Sequence, residues 1–546
     1  MLSSLDRSEH NPNPELLIRW VVVAGIVSYL LIFSYNSLAR TRQFSADSMN
    51  YVDVARNIAS GRGIVQSTLG YNQPFLFNAD SQIPTPLVSQ PPLYPILIAL
   101  SSKLGLTCSD AALVIPAVAY GGILLLGYFL SRDLFGEPTA LLALASLLMY
   151  APLSYVSRFA WSESVGILFL FICLLFLVKA RQFDKSHSSG IISLCAGLAA
   201  GLAFSTRYAM APLFVVGPLL LAIEFPDNKT RLRVFLPYLL GASLPTLLVL
   251  YHNLASTGQI MPLALASDRP FQTNLQDAFF STFGDYLWEG DAKTHYMQAA
   301  LALSVGGFCV IALAIQRRTR DLLTVFVRNR RYLLVFWLFG YSILIVYQRT
   351  ISHFDIITNR IMVPAGVVLI MLGIELVVAA IGPGMPRTRV LYGIVILTII
   401  AACAREMKLT INQPVTNAAR QVAQSDRLSW VAQHTTDHDL IVGDDTMDIP
   451  FYFERQAAVS VSPYPHTIHL TSPLLTDFTS HNCSRYQNIY LILRSPDSPN
   501  YDAQLYEFGQ FITDIRLGDT ANYPDILPIA LLKDARVFQL SCRRVN

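Results

Sequence analysis

Residues 17–51 read LIRWVVVAGIVSYLLIFSYNSLARTRQFSADSMNY. From Leu17 to Leu38 nearly every position is apolar, which is the length a helix needs to cross hydrocarbon, about 20 residues. No small-residue cleavage site follows Ser34-Tyr35-Asn36, so the stretch reads as a retained span and not as a leader. Asp47, Tyr51 and Asp53 then arrive within a few residues of its end. A carboxylate so close to a bilayer is costly unless it is paired or solvated. A membrane span that delivers an acidic loop to the bilayer surface is the reading on which the fold class turns.

The rest of the chain agrees with it. Of 546 residues, 53% are hydrophobic and only 14% charged, and the mean hydropathy is +0.43. Soluble domains carry about 25% charged residues, so this surface needs lipid to cover it. Ten further segments have the character of spans: 108–131, 139–155, 162–180, 189–206, 208–224, 234–252, 296–315, 332–347, 361–382 and 389–404. With 17–38 they predict a polytopic α-helical membrane protein of about 11 transmembrane helices. The apolar run 93–106 is shorter and is interrupted by Ser101, Ser102 and Lys103, so it reads as an interfacial or re-entrant helix.

Lysine and arginine set the orientation. With a cytoplasmic N-terminus, the connectors that hold Arg132, Lys179 and Arg181, Lys229 to Arg233, and the dense run from Arg317 to Arg331 all fall inside. Arg40 and Arg42 oppose the trend. The loop 39–107, the turn 158–163, the loop 253–295, the turn 348–360 and everything after about 405 then lie outside. These outer segments are rich in acidic residues, His, Pro and Gly, so chemistry is expected on the extracytoplasmic face.

The tail changes character. Residues 415–434 read as an amphipathic helix and 502–515 as another, while Leu440–Val442, Ala457–Val461, Ile489–Leu493 and Val537–Leu540 read as strands. The expected division is a transmembrane domain over 1–404 and a small C-terminal extracytoplasmic α/β domain over 405–546. Seven cysteines form no CxxC pair, which removes support for zinc knuckles and dithiol redox motifs. Cys483 and Cys542 can pair if the tail is exported. The net charge of +3 comes without a long basic run, so nucleic acid is not an expected partner. No P-loop, HExxH, GxSxG or suitably placed GxGxxG occurs, which leaves ATP-driven work, zinc proteolysis and serine hydrolysis without support.

Within the outer segments, Met49, Val52, Ala55 and Ala59 recur at helical spacing and predict a surface helix from Asp47, ended by Gly61-Arg-Gly63. Asp47 there is either a functional acid or simply the helix N-cap, where the dipole favours a carboxylate. Glu163 enters an apolar helix straight after Trp161-Ser162, and is either functional or the structural partner of Arg158. Arg207, between two closely spaced spans, and Arg360 can hold a lipid-linked phosphate or snorkel to headgroups. His252, His353 and Asp355 complete the candidates, and the last two are too few to argue for a metal.

The order of these features resembles the GT-C superfamily of membrane glycosyltransferases, in the branch of the protein O-mannosyltransferases and the bacterial aminoarabinose–lipid A transferase. The resemblance is carried by Asp47-Ser48-Met-Asn-Tyr51 … Ala55-Arg56-Asn57 … Gly61-Arg-Gly63 after the first span, then Gln90-Pro-Pro-Leu-Tyr94-Pro95, Trp161-Ser-Glu163, Gly201-Leu-Ala-Phe-Ser-Thr-Arg207, His252-Asn253 … Gly258 before Pro262, and Asn359-Arg360-Ile-Met-Val-Pro364. The order holds across residues 17–370. It implies an inverting transfer of a sugar from a polyprenyl-phosphate donor to a lipid, glycan or protein acceptor outside the membrane. Asp47 matches the family's acidic position in the first outer loop and would be the general base. Glu163 matches a second acidic position, and Arg207 and Arg360 would stabilise the departing phosphate. Many relatives have two adjacent acids where this chain has Asp47-Ser48, which leaves a divalent metal an open expectation. A lipid-linked glycan polymerase or ligase would depend on Arg and His in a large late loop. A flippase would show pseudo-symmetric halves, and none is visible.

Overall fold

The computed structural model describes residues 14–42, 44–69, 80–182, 188–225, 227–261, 267, 269–283, 298, 304, 332–352, 356–381, 388–412, 418–444, 446–455, 458–461, 471–495 and 510–541. The first helix, α1 (Pro14–Tyr35), continues through a π-helical turn at Asn36–Thr41. After it comes α2 (Ala46–Ala59), then three two-residue strands, β1 (Val65–Gln66), β2 (Thr68–Leu69) and β3 (Thr85–Pro86). The bundle proper follows as α3 (Leu93–Lys103), α4 (Cys108–Phe135), α5 (Glu137–Met149), α6 (Ala151–Arg158), α7 (Glu163–Gln182), α8 (Ser188–Thr206), α9 (Leu213–Glu224) and α10 (Asn228–Thr257). Next are α11 (Phe271–Phe283), α12 (Tyr332–Ile351), α13 (Asn359–Ile381) and α14 (Thr388–Asn412).

Among the described residues eight helices are long and apolar enough to cross a membrane, or nine if the bent pair α5–α6 counts as one span. The chain is a multi-pass membrane protein. The predicted span 139–155 is that pair, bent by 55°, because a proline cannot donate into the preceding turn and Pro152 opens α6. The predicted span 208–224 is instead a 3₁₀ turn, Tyr208–Met210, followed by the 12-residue α9, too short to cross on its own. The segment 93–106 is the 11-residue α3 and not a span, as expected. The predicted span 296–315 falls outside the described residues save Gln298 and Ser304. α8 and α10 pack most closely, with Gly197 and Gly201 lying against the backbone of Tyr238 and Ala242. A side chain at either glycine would collide there, which is the small-residue rule of membrane helix pairs.

After α14 the chain forms α15 (Ala418–Gln424), α16 (Asp426–His434), β4 (Leu440–Asp444), α17 (Asp448–Phe453), β5 (Ala458–Val461), α18 (Ser472–Asn482), β6 (Ile489–Arg494), α19 (Gln510–Leu517), β7 (Ile526–Leu531) and β8 (Ala535–Leu540). The predicted helix 415–434 is broken in two at Ser425, whose side chain caps α16 by accepting from the Leu428 N–H. All four predicted strands are present and β7 is an addition. Strand alternation divides the packing: Leu440, Val442, Leu491 and Leu493 face α18 and α19, whereas Ile441, Ile492 and Val537 face Leu428 and Val431 of α16. Cys483 is disulfide-bonded, and Cys542 lies outside the described residues.

The sheet is six-stranded in the order β2-β5-β4-β6-β8-β7, parallel as far as β6 and antiparallel beyond. Its edge strand therefore comes from the loop after α1, nearly 400 residues upstream of its partner in β5, with Thr68 opposite Ala458 and Leu69 opposite Val459. Further contacts bind the same two regions. The Arg56 guanidinium donates to the Pro450 and Phe451 carbonyls at 3.0 and 2.8 Å and lies 3.6 Å from Glu454. The Phe44 and Phe451 rings meet at 4.8 Å. The acidic loop and the C-terminal sheet are thus one packed assembly at one end of the bundle.

Candidate active site

The site forms where α2 meets the turn between α6 and α7. Ser45 is the N-cap of α2, accepting from the Ser48 N–H, and its hydroxyl also accepts from Trp161 Nε1 at 2.7 Å. Asp47 is therefore in the first helical turn and is not the N-cap, so its carboxylate is not spent on the helix end. Gly61, at φ +80°, follows the helix in the left-handed region that glycine adopts without strain.

The Asp47 carboxylate accepts from Arg360 Nη2 at 2.7 Å and from Gln90 Nε2 at 3.1 Å. Arg360 also donates from Nε to Glu163 Oε1 at 2.6 Å, and its guanidinium lies 3.9 Å from the centroid of the Trp161 ring. Arg207 Nη1 approaches the same Glu163 oxygen at 2.6 Å. The four groups form an alternating array, Asp47–Arg360–Glu163–Arg207, formally neutral. Glu163 is fully buried, while Asp47, Arg360 and Arg207 keep side-chain exposures of 15%, 19% and 19%. Glu163 is thus the closed member of the array, while Asp47 and both guanidiniums keep partial access. Tyr51, one turn on from Asp47, bonds Ser162 Oγ at 3.2 Å. Burial, reinforced by Asp47 and Glu163, pushes its hydroxyl well above the ordinary range, so it stays a proton donor.

Four of the sequence candidates thus converge, with Tyr51 beside them. Arg158 does not join them. It is the ion-pair partner of Glu406 in α14 and not of Glu163, and the Arg158 guanidinium lies over the Phe33 ring. The Asn36 side chain donates to the same glutamate. Asp53 faces away and accepts from the Ser67 N–H at 2.6 Å and the Ser67 hydroxyl at 2.7 Å. Burial pushes its carboxyl up to about 6, against these two bonds. His252 Nε2 is 2.9 Å from the Leu87 carbonyl oxygen, a contact that holds the proline-rich loop. His353 and Asp355 lie outside the described residues.

Gln90 carries a role that reading residue by residue missed, and Asn50 lies beside the site. Gln90 stood out only as the start of a Pro-Pro run, yet it orients the Asp47 carboxylate. Asn50 is fully buried one turn from Asp47, and its amide oxygen and nitrogen have no hydrogen-bond partner among the described residues. No spacing signal marks either one. Among the described residues no three His, Cys, Asp or Glu side chains are grouped as a metal site. Among the described residues both acids of the array are already held by guanidiniums, which leaves no open donor set for a divalent cation there.

Residues 89–253 match the family model described as dolichyl-phosphate-mannose-protein mannosyltransferase. No curated protein sequence matches. Among solved structures, ArnT from Cupriavidus metallidurans in the apo state is similar with a TM-score of 0.56 at 14% identity, over 96% of this chain and 98% of that one. The same protein bound to undecaprenyl phosphate gives 0.52 at 14% identity, over 95% and 98%. The Archaeoglobus fulgidus oligosaccharyltransferase in the apo form gives 0.51 at 13% identity, over 87% of this chain and 69% of that one.

Proposed function

We propose, from the GT-C fold that this multi-pass membrane chain has, that it is a glycosyltransferase moving a sugar from a polyprenyl-phosphate donor to an acceptor at the extracytoplasmic face. One observation carries the reading: a partly open carboxylate, Asp47, held by Arg360 beside a second guanidinium, Arg207, through a buried acid common to both. A carboxylate that can take a proton stands next to cations that can take a phosphate. The likeness to a structure bound to undecaprenyl phosphate supports a donor of that class. The distribution of Lys and Arg supports the sidedness.

In this reading the acceptor hydroxyl attacks the anomeric carbon as the bond from that carbon to the phosphate oxygen breaks. Asp47 takes the hydroxyl proton, and the polyprenyl phosphate leaves with the bonding pair. A single displacement inverts the carbon. Arg360 and Arg207 receive the charge that grows on the phosphate, and guanidinium geometry suits it because two N–H groups can meet two oxygens. Glu163 keeps both arginines in place and, with Asp47, balances their two charges until the donor arrives. Asp47 gives up its bond to Arg360 as the phosphate claims it, which leaves the carboxylate free for the acceptor. No step uses a metal.

The test uses purified protein, an isotope-labelled polyprenyl-phosphate sugar and a cell-envelope extract as acceptor. Release of polyprenyl phosphate is compared between the native chain and Asp47→Asn. General-base loss lowers the rate by about 10²–10⁴-fold. Release that survives the change moves the base elsewhere, with Glu163 next. No release with any donor overturns the transferase reading.

A further inference from the structure

The C-terminal sheet changes direction at its centre. From β4 the chain passes through α17 to β5 on one side, then crosses to β6 on the other side of β4, and from β6 it goes out to the edge strand β7 and returns to β8 between them. β4 and β6 are parallel neighbours, so their carboxyl ends, Asp444 and Arg494, lie side by side, and the strands that follow them in the chain lie on opposite sides of the pair. In open α/β sheets the crevice outside the carboxyl ends at such a switch point is where ligands bind.

A cleft of about 310 Å³ occupies that place, within the size range of small-molecule sites. One side of it comes from the sheet and its helices: Arg427, Asp448, Tyr452 and Arg494. The other comes from the start of α2, Phe44 and Ala46. Ala46 is the chain neighbour of Asp47, about 3.8 Å away along the backbone. The ligand crevice of the C-terminal sheet is thus closed by the very turn that carries the acid of the array.

We propose that this cleft is the acceptor site and that the acceptor presents a saccharide to it. The inference rests on the transferase reading. The lining has the chemistry for sugars. Arg427 and Asp448 form a buried ion pair that offers both donors and an acceptor to hydroxyl groups. Tyr452 bonds Gln421 Oε1 at 2.5 Å, which holds its ring in the cleft. Tyr452 and Phe44 supply apolar faces for the C–H faces of a pyranose, and Arg494 adds a further cation. A hydroxyl that reaches out of the cleft around the first turn of α2 meets the Asp47 carboxylate. The acidic helix therefore has a separate partner on each side: the donor phosphate at Arg360 and Arg207, and the acceptor sugar against the sheet.

The experiment uses the full chain in lipid nanodiscs, the labelled polyprenyl-phosphate sugar and a cell-envelope glycan extract titrated as acceptor. Tyr452→Ala and Arg494→Ala are expected to raise the acceptor KM at least tenfold, with the donor KM within twofold of the native value. Gln421→Trp fills the cleft from a half-exposed helix position and is expected to do the same, which covers the case in which one alanine variant fails to fold. An acceptor KM within twofold of native in the folded variants overturns the proposal, as does transfer to peptide alone. If the native chain releases no polyprenyl phosphate, it is the transferase reading that fails. Retention of labelled glycan extract by immobilised native chain, against Tyr452→Ala and Arg494→Ala, then decides the cleft by itself. Retention lost in the variants keeps it as a glycan site, and equal retention or none overturns it.

Discussion

Arg360 shows how much one side chain does in the array. Its Nε and Nη2 hold two different carboxylates while its plane lies on Trp161. Lysine is a single point charge with no plane, so Arg360→Lys keeps the charge and loses the bridge. We expect donor cleavage to fall more than tenfold in that variant, measured as polyprenyl phosphate release, with the protein still folded. Glu406 makes the matching structural case. It is fully buried against Arg158, and removing one partner of a buried pair strands the other, at a cost of about 3–5 kcal/mol. Glu406→Gln should lower the thermal unfolding midpoint in detergent clearly, and Arg158→Met with Glu406→Met should recover most of the loss. At this scale the sequence was legible for identity and not for partnership. Asp47 stands out because an acid directly after a span needs a reason. That its partner is Arg360, 313 positions away, leaves no trace in spacing. Arg158 and Glu163 looked like a pair because they are close in the chain. The break between α6 and α7 sends them to different neighbours.

α2 is held from two directions, and this sets what its loss of grip would do. Its start is tied to Trp161 through Ser45, and its second half to the C-terminal unit through Arg56. Arg56→Ala is expected to lower the turnover number severalfold with the donor KM unchanged, because the guanidinium touches no donor group and acts through the position of Asp47. Arg56→Lys should restore part of it, since an ammonium can still reach a carbonyl oxygen. Asp53 adds a pH dependence. Its carboxyl, raised from 3.8 to about 6 by burial, favours the protonated form in the folded chain. The stabilisation is fully present below about pH 3.8 and is lost as pH rises through 6, by about 3 kcal/mol at 1.36 kcal/mol per unit. Protease resistance of the 61–90 loop should fall between pH 4 and 7 in the native chain and stay flat in Asp53→Asn. The helix itself was readable to within one residue of its ends, from Met49, Val52 and Ala55. β2 was not: two residues carry no periodicity, and its strand character comes only from β5. β7 hid for another reason, since most of its residues are at least partly exposed and Pro528 interrupts it.

Taken whole, the chain is a membrane bundle with the C-terminal sheet packed on the end that holds the charged array. Deleting 412–546 should leave a bundle that still inserts, because among the described residues the long apolar helices precede it. The same deletion should abolish donor cleavage and open the 61–90 loop to protease, since β2 loses its sheet and Arg56 its carbonyls. Membrane class was plain from charge content alone. The count of spans was less so, because hydropathy cannot see that Pro152 bends α5–α6 or that α9 stops after 12 residues. The pairing of β2 with β5 also has a temporal side. A ribosome makes Thr68 and Leu69 early and Ala458 and Val459 nearly 400 residues later. At 5–20 residues per second that is a delay on the order of 20–80 s. During this interval the strand that β2 pairs with has not been synthesised. Under the proposed function, a nascent chain then stays idle until translation is almost finished, and a scarce activated lipid is not consumed by half-built protein.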